Sequence, residues 1–132
     1  ELKEKQDRVE DAICATKAAI KEGIVPGGGV ALLNAALKME EENEGERVLG
    51  KAIISPYKTI LQNAGIEAIT IPAKNGDGIN VVTGNMVDMI EAGIIDPLLV
   101  TKSALKNAAS VATTILSTDC VINNLRIDEG SR

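Results

Sequence analysis

Along the first twenty positions a stripe of Leu2, Val9, Ile13, Thr16 and Ile20 repeats at helical spacing within an otherwise charged segment, the pattern of an amphipathic helix with one apolar side. It predicts a helix ending near Gly23, where glycine takes the left-handed cap and Ile24 follows as the hydrophobic residue beyond it. Pro26-Gly27-Gly28-Gly29 then reads as a turn. Val30 to Met39 is a short Ala/Leu-rich helix, and the acidic run Glu40 to Gly45 reads as a solvated loop. Val48 to about Ile71 is helical in pattern but interrupted at Ser55-Pro56 and stopped at Asn63-Ala64-Gly65, so two or three helices are expected. After the turn Asn75-Gly76-Asp77-Gly78, two β-leaning runs, Ile79–Thr83 and Met86–Ile90, flank Gly84-Asn85, the signal of a hairpin with a two-residue loop. Asp96-Pro97 opens the last long helix, with Asp96 as N-cap and Pro97 at the first helical position. Between Val100 and Leu116 so much of that helix is apolar that a central position is expected. Cys120 to Leu125 reads as a short terminal strand whose partner is the hairpin or lies outside the chain. The fold expected is mainly α, with one small β-hairpin and a short C-terminal strand.

The 132 residues suit one domain, large enough to bury roughly two-thirds of its unfolded surface. With 45% hydrophobic residues but no Phe, no Trp and one Tyr, the core must be packed from aliphatic side chains. The absence of His excludes Ser-His-Asp and Cys-His catalysis and removes the commonest zinc ligand. A net charge of −5 with no aromatic platform argues against nucleic acid as a partner. No run approaches the roughly 18 apolar residues of a membrane span, and the N-terminal residues do not form a signal peptide. Two cysteines far apart, Cys14 and Cys120, read as reduced thiols in a cytosolic-type compartment.

Several residues could carry chemistry. Gly27-Gly28-Gly29 at a helix start could offer main-chain N–H groups to an anion, although spacing alone favours a hinge, and neither the Walker nor the dinucleotide fingerprint is present. Asp11 lies about 200° from both Val9 and Ile13 around a helix of 3.6 residues per turn, away from the apolar stripe, and alone it reads as a solvated acid. Asn80 reads as the polar alternate of a half-exposed strand, and Asp96 as a cap.

Taken together, Arg8-Val9-Glu10-Asp11-Ala12, Glu22 through Leu32 with its Gly-Ile-Val-Pro-Gly-Gly-Gly core, Gly93-Ile94-Ile95-Asp96-Pro97 and Ser103 through Ala112 resemble, in order and spacing, the C-terminal part of a group I chaperonin of the 60-kDa ring-forming family. The resemblance covers nearly the whole chain. It implies that residues 1–21 are the returning helix of the intermediate domain and residues 22–132 the C-terminal half of a helical, ATP-binding equatorial domain. The family's catalytic aspartate falls on Asp11, which there activates the water that attacks the γ-phosphate, a role suited to an acid on a movable helix. Gly28 matches the glycine whose main chain packs on the nucleotide, Asn80, Val81 and Val82 the segment lining adenine, and Asp96 the acid that reaches the ribose. A carboxylate has acceptor sites enough to cap a helix and bind a hydroxyl.

The resemblance further implies a ring homo-oligomer in the cytoplasm, or in an organelle matrix if the source is eukaryotic, with ATP and Mg²⁺ as cofactors. Co-chaperonin and unfolded client proteins are expected to bind through apical regions outside this sequence. No residue here is expected to bind metal, because the family's Gly-Asp-Gly-Thr-Thr phosphate segment and its metal-binding aspartate also fall outside it. Gly76-Asp77-Gly78 is not that segment, since Ile79-Asn80 follow it. Val81-Val82 replaces smaller residues, and Leu98-Leu99 lacks the lysine often found after Asp-Pro. The expected function is part of an ATP-dependent folding machine, with no hydrolysis by this chain alone and apolar surface left uncovered. The alternative is a small non-enzymatic helical module that self-associates.

Overall fold

In the computed structural model, which describes residues 2–40, 42–66 and 70–122, the chain is mainly helical. Its elements are α1 (Leu2–Glu22), β1 (Ile24–Pro26), α2 (Val30–Lys38), α3 (Glu44–Ile53), α4 (Ser55–Asn63), β2 (Asp77–Asn80), β3 (Asn85–Asp88), β4 (Ile95–Pro97) and α5 (Leu98–Leu116). The strands form two separate antiparallel pairs, β1 with β4 and β2 with β3. No described helix is long and apolar enough to cross a membrane.

Helix α1 ends where the capping signal put it, with Gly23 at φ +88 and its N–H donating to the Ala19 carbonyl at 2.8 Å. The residues after it, however, form a strand. Ile24, Val25 and Pro26 pair with Pro97, Asp96 and Ile95, and the Leu98 N–H donates to the Gly23 carbonyl at 3.1 Å. This pairing displaces Asp96 from the expected N-cap. Pro97, extended at φ −67 and ψ 127, occupies the cap position and offers no side-chain bond. Two partners 70 residues apart in the chain leave no local periodicity by which a three-residue strand could be foreseen.

The acidic run is shorter as a loop than expected. Asn43 caps α3 in a reciprocal capping box, its side chain accepting from the Glu46 N–H while the Glu46 side chain accepts from the Asn43 N–H, so the acids Glu44 and Glu46 enter the first helical turn, where the helix dipole favours them. Ile54 separates α3 from α4, and the expected break at Ser55-Pro56 is the start of α4, with Pro56 in its first turn, where its missing N–H costs nothing. The hairpin β2–β3 is present but its loop is four residues, Val81 to Gly84, because Asn80 pairs with Asn85. The Asn80 carbonyl accepts from Thr83 at 3.2 Å and from Gly84 at 2.8 Å, closing the wider turn, and Gly84 takes φ +74.

The core is small. Val30 and Leu33 from α2, Tyr57 and Leu61 from α4, and Met89 just after β3 are fully buried, with Ile54, Ile66, Ile79, Val87 and Ile94 packed around them. The single aromatic residue sits at its centre, against the aliphatic-only expectation: the Tyr57 ring is buried and its hydroxyl donates to the Thr70 carbonyl at 3.0 Å, which satisfies the polar end of a large apolar body. Burial also raises the Tyr57 phenol above its usual pKa.

Helix α5 does not take the expected central place, for it contains no buried residue. It packs against α1 and β4, and Lys102 reaches Glu22 at 2.5 Å. Its remaining apolar side borders an open cleft of about 330 Å³ lined by Leu32, Leu49 and Ile53 on one side and Leu105, Ala108 and Ala112 on the other. The chain exposes 10390 Å², where a compact protein of its mass exposes about 6,600 Å². Leu2, Ile20 and Leu116 are more than 80% exposed, so the expected uncovered apolar surface is present. Of the expected terminal strand, Cys120–Ile122 is in no strand, and residues 123–125 lie outside the described residues.

At Gly29, φ is +78 and an added Cβ would stand 2.7 Å from the Tyr57 main-chain nitrogen, so neither the conformation nor the space admits a side chain. Gly29→Ala is expected to destabilise the fold by about 1–3 kcal/mol, read as a lowered urea midpoint. Val111→Ala, at an exposed site on α5, is expected to change it by less than about 0.5 kcal/mol.

Candidate functional site

The β1–β4 ribbon decides which of the candidate residues meet. Val25 lies directly opposite Asp96, and the Gly27 N–H donates to the Ile94 carbonyl at 2.9 Å, so the glycine loop leading into α2 and the Asp96 strand are held side by side. Gly27 is buried in this contact, and an added Cβ would lie 3.1 Å from the Ile94–Ile95 main chain. Gly28 follows at φ +63, packed on the Met89 side chain, whose Cε would be 2.9 Å from a Cβ at that position. Among the described residues the Gly28 and Gly29 amides make no backbone hydrogen bond, and they precede the N-terminus of α2, where backbone donors are unpaired by construction of the helix. The loop is thus packed closely on its neighbours, at Gly27 against Ile94, at Gly28 against Met89 and at Gly29 against Tyr57.

Asp96 faces helix α1. It borders a small cavity of about 190 Å³ with Ala15, Thr16 and Ala19 of α1 and with Ile24, Ile95 and Pro97 of the ribbon. The carboxylate is half-buried, accepts no hydrogen bond among the described residues, and is held above the usual Asp pKa by desolvation. A half-buried acceptor without a donor beside it suits a ligand hydroxyl. Asp11 is exposed on α1, one turn before Ala15 and two before Ala19. Positions four apart share a helix face, so Asp11 heads the column of small residues that lines the Asp96 cavity.

Asn80, Val81 and Val82 lie elsewhere. They occupy the tip of the β2–β3 hairpin, whose base is anchored at the glycine loop by Gly78, packed on Val30 and Met89. Three residues of strand place the tip about 10 Å from that base. The Asn80 side-chain oxygen accepts from the Val82 N–H at 3.0 Å, and Val82 is 90% exposed. None of the three lines the Asp96 cavity. Asp96 and the α1 column are brought together; Gly28 lies further along the glycine loop, beyond the Gly27–Ile94 contact and against Met89, and the hairpin tip stands off from both. Thr16 belongs to the stripe read from the sequence, whereas Ala15 and Ala19 were not singled out by pattern, although small residues spaced four apart on a helix signal close approach by another element.

The described residues thus set two half-buried glycine N–H groups without backbone partners at a helix start and, on the neighbouring strand, a half-buried carboxylate against a shallow apolar wall. Among them no three His, Cys, Asp or Glu side chains converge as a metal site.

A mainly helical scaffold with a glycine loop clamped beside an aspartate strand defines the class, and comparison with known proteins gives the family. Residues 1–126 match the TCP-1/cpn60 chaperonin family, and the chain belongs to that family. It is similar to a solved structure described as a group III chaperonin in the open state, with a TM-score of 0.67 and 27% identity over 80% of this chain. The chain spans 25% of that chaperonin's length.

Because the Asp96 pKa is raised in the fold, its charged form is disfavoured there relative to the unfolded chain. The sign follows directly: stability is gained as pH falls through the raised folded value, and that gain is lost again as pH rises above it. Asp96→Asn is therefore expected to raise the thermal midpoint at neutral pH and to flatten the pH dependence of stability just above the ordinary Asp value of 3.8, as read by calorimetry across a pH series.

Proposed function

We propose that this chain is the nucleotide-handling, C-terminal portion of a chaperonin subunit that assists protein folding in a ring of like subunits. The observation that carries the reading is the clamp of the Gly27–Gly29 loop to the Asp96 strand, with the Asp11 column of α1 converging on it. The group I assignment is supported by the stretches Val9-Glu10-Asp11-Ala12, Gly23 to Leu32 and Gly93 to Pro97. Within that reading residues 1–21 belong to an intermediate domain and residues 22–132 to the C-terminal half of an equatorial domain. The cytoplasm, or an organelle matrix in a eukaryote, is the compartment.

In the proposed site, Gly28 offers main chain to the nucleotide, since its tight packing on Met89 keeps any side chain out of the way. Asp96 accepts from ribose hydroxyls, and desolvation of its carboxylate is offset once those donors arrive. Asn80, Val81 and Val82 border the adenine. ATP, with Mg²⁺ held by groups outside this sequence, would supply the phosphoryl group and the electrostatic drive of the reaction. Asp11 would orient a water and accept its proton. Its exposed position suits a group brought over its target by movement of α1 and withdrawn afterwards. The uncovered apolar sides of α1 and α5 support assembly with further chaperonin chain. Co-chaperonin and unfolded clients are assigned to other parts of the subunit.

Asp11→Ala in the full-length ring is expected to lower ATP hydrolysis by about 10²–10⁴-fold while nucleotide binding, followed by titration calorimetry, is retained. The 132-residue chain alone is expected to show no turnover. Mg²⁺-dependent hydrolysis by the isolated chain, abolished by Asp11→Ala, would overturn the division of labour proposed here.

A further inference from the structure

We infer that Asn75-Gly76 is a site of spontaneous main-chain modification, and that the isoaspartyl form it yields detaches the β2–β3 hairpin from the core. It is the one Asn-Gly pair in the sequence. Asn75 is exposed, in the turn closed by Asp77 N–H to the Lys74 carbonyl at a long 3.3 Å. Glycine presents no Cβ to shield its amide nitrogen, and the space around Gly76 is open: even an added Cβ would meet only an Asp88 carboxylate oxygen, at 3.8 Å. Among the described residues the Gly76 N–H makes no backbone hydrogen bond, so no structure has to break before that nitrogen reacts.

The chemistry needs water alone. The Gly76 nitrogen, giving up its proton to solvent hydroxide, attacks the Asn75 side-chain carbonyl carbon. A C–N bond forms there, the bond to the side-chain nitrogen breaks, and that nitrogen leaves as ammonia with a proton from water. Water then opens the resulting five-membered imide. Opening at the side-chain carbonyl gives aspartate; opening at the main-chain carbonyl gives isoaspartate, in which the backbone runs through the former side chain. The net change is one water consumed and one ammonia released, with no oxidation or reduction.

The position gives the change a consequence. The Gly76 carbonyl accepts from the Met89 N–H at 3.0 Å, and Met89 is fully buried. Two residues on, Gly78 fits so closely that an added Cβ would stand 2.6 Å from Val30 and 2.9 Å from the Met89 sulfur. An isoaspartyl residue lengthens the main chain by one methylene, about 1.5 Å. A joint this tight has no slack for that length, so either the Gly76–Met89 bond or the seat of Gly78 is lost.

The test is to hold the folded chain in mildly alkaline buffer at body temperature and map peptides by mass. Asn75 is expected to gain about 1 Da on the order of tenfold faster than Asn63 or Asn85, because only its successor lacks a side chain. Part of the product is expected to accept a methyl group from an isoaspartyl methyltransferase, and Asn75→Gln is expected to abolish both signals. The isoaspartyl fraction is expected to melt several degrees lower, whereas Asn75→Asp, which adds the charge but not the extra backbone atom, keeps the parent midpoint. Conversion no faster than at Asn63, or only in denaturant, would overturn the site. Equal melting of the isoaspartyl fraction and Asn75→Asp would overturn the detachment of the hairpin.

Discussion

The pairing of Ile24–Pro26 with Ile95–Pro97 is the constraint on which the remaining arrangement depends. It joins the chain immediately after α1 to the chain immediately before α5, so the two longest helices leave a common junction and lie against one another. The same three-residue ribbon holds the glycine loop, through Gly27 N–H and the Ile94 carbonyl, and turns Asp96 toward Ala15 and Ala19. Short ribbons are weak in isolation. This one is reinforced at both ends, by Leu98 N–H to the Gly23 carbonyl and by the burial of Gly27 against Ile94. The exposed Lys102–Glu22 pair nearby adds little energy but orients α5 on α1.

Around that junction the molecule divides into a packed part and an open part. Tyr57, Leu33, Leu61, Val30 and Met89 make a core that seats α2, α4 and the hairpin base. Helices α1 and α5 have no buried residue between them. Their apolar stripes are as regular as those of core helices, which means that amphipathicity alone does not say what covers a face. A surface this large and apolar is costly to leave in water, in keeping with a chain spanning a quarter of the chaperonin it resembles in fold.

Much of the architecture was legible in local signals. The end of α1 at Gly23, the break at Ser55-Pro56 and the existence of the hairpin all follow from chemistry contained within a few residues. The loop length of the hairpin did not, because Asn80 supplies both a carbonyl and a side-chain oxygen to close a wider turn where Gly84-Asn85 alone suggested a tight one. Of the candidate site, the residue types were legible but their grouping was not: Asp96 looked like a cap because Asp-Pro before an apolar run usually is one. Only its distant partner Val25 makes it a strand residue facing a helix.

What the sequence determined by itself is the set of helices and turns, since capping groups, glycine conformations and 3.6-residue periodicity act over short range. Tertiary structure alone decided that Tyr57 is the centre of the core, that α5 lies at the side, and that Val25 and Asp96 stand opposite each other while Asn80–Val82 project from the hairpin tip. Those outcomes rest on contacts between residues tens of positions apart. Their energies depend on which surfaces meet, and no window of local sequence contains that information.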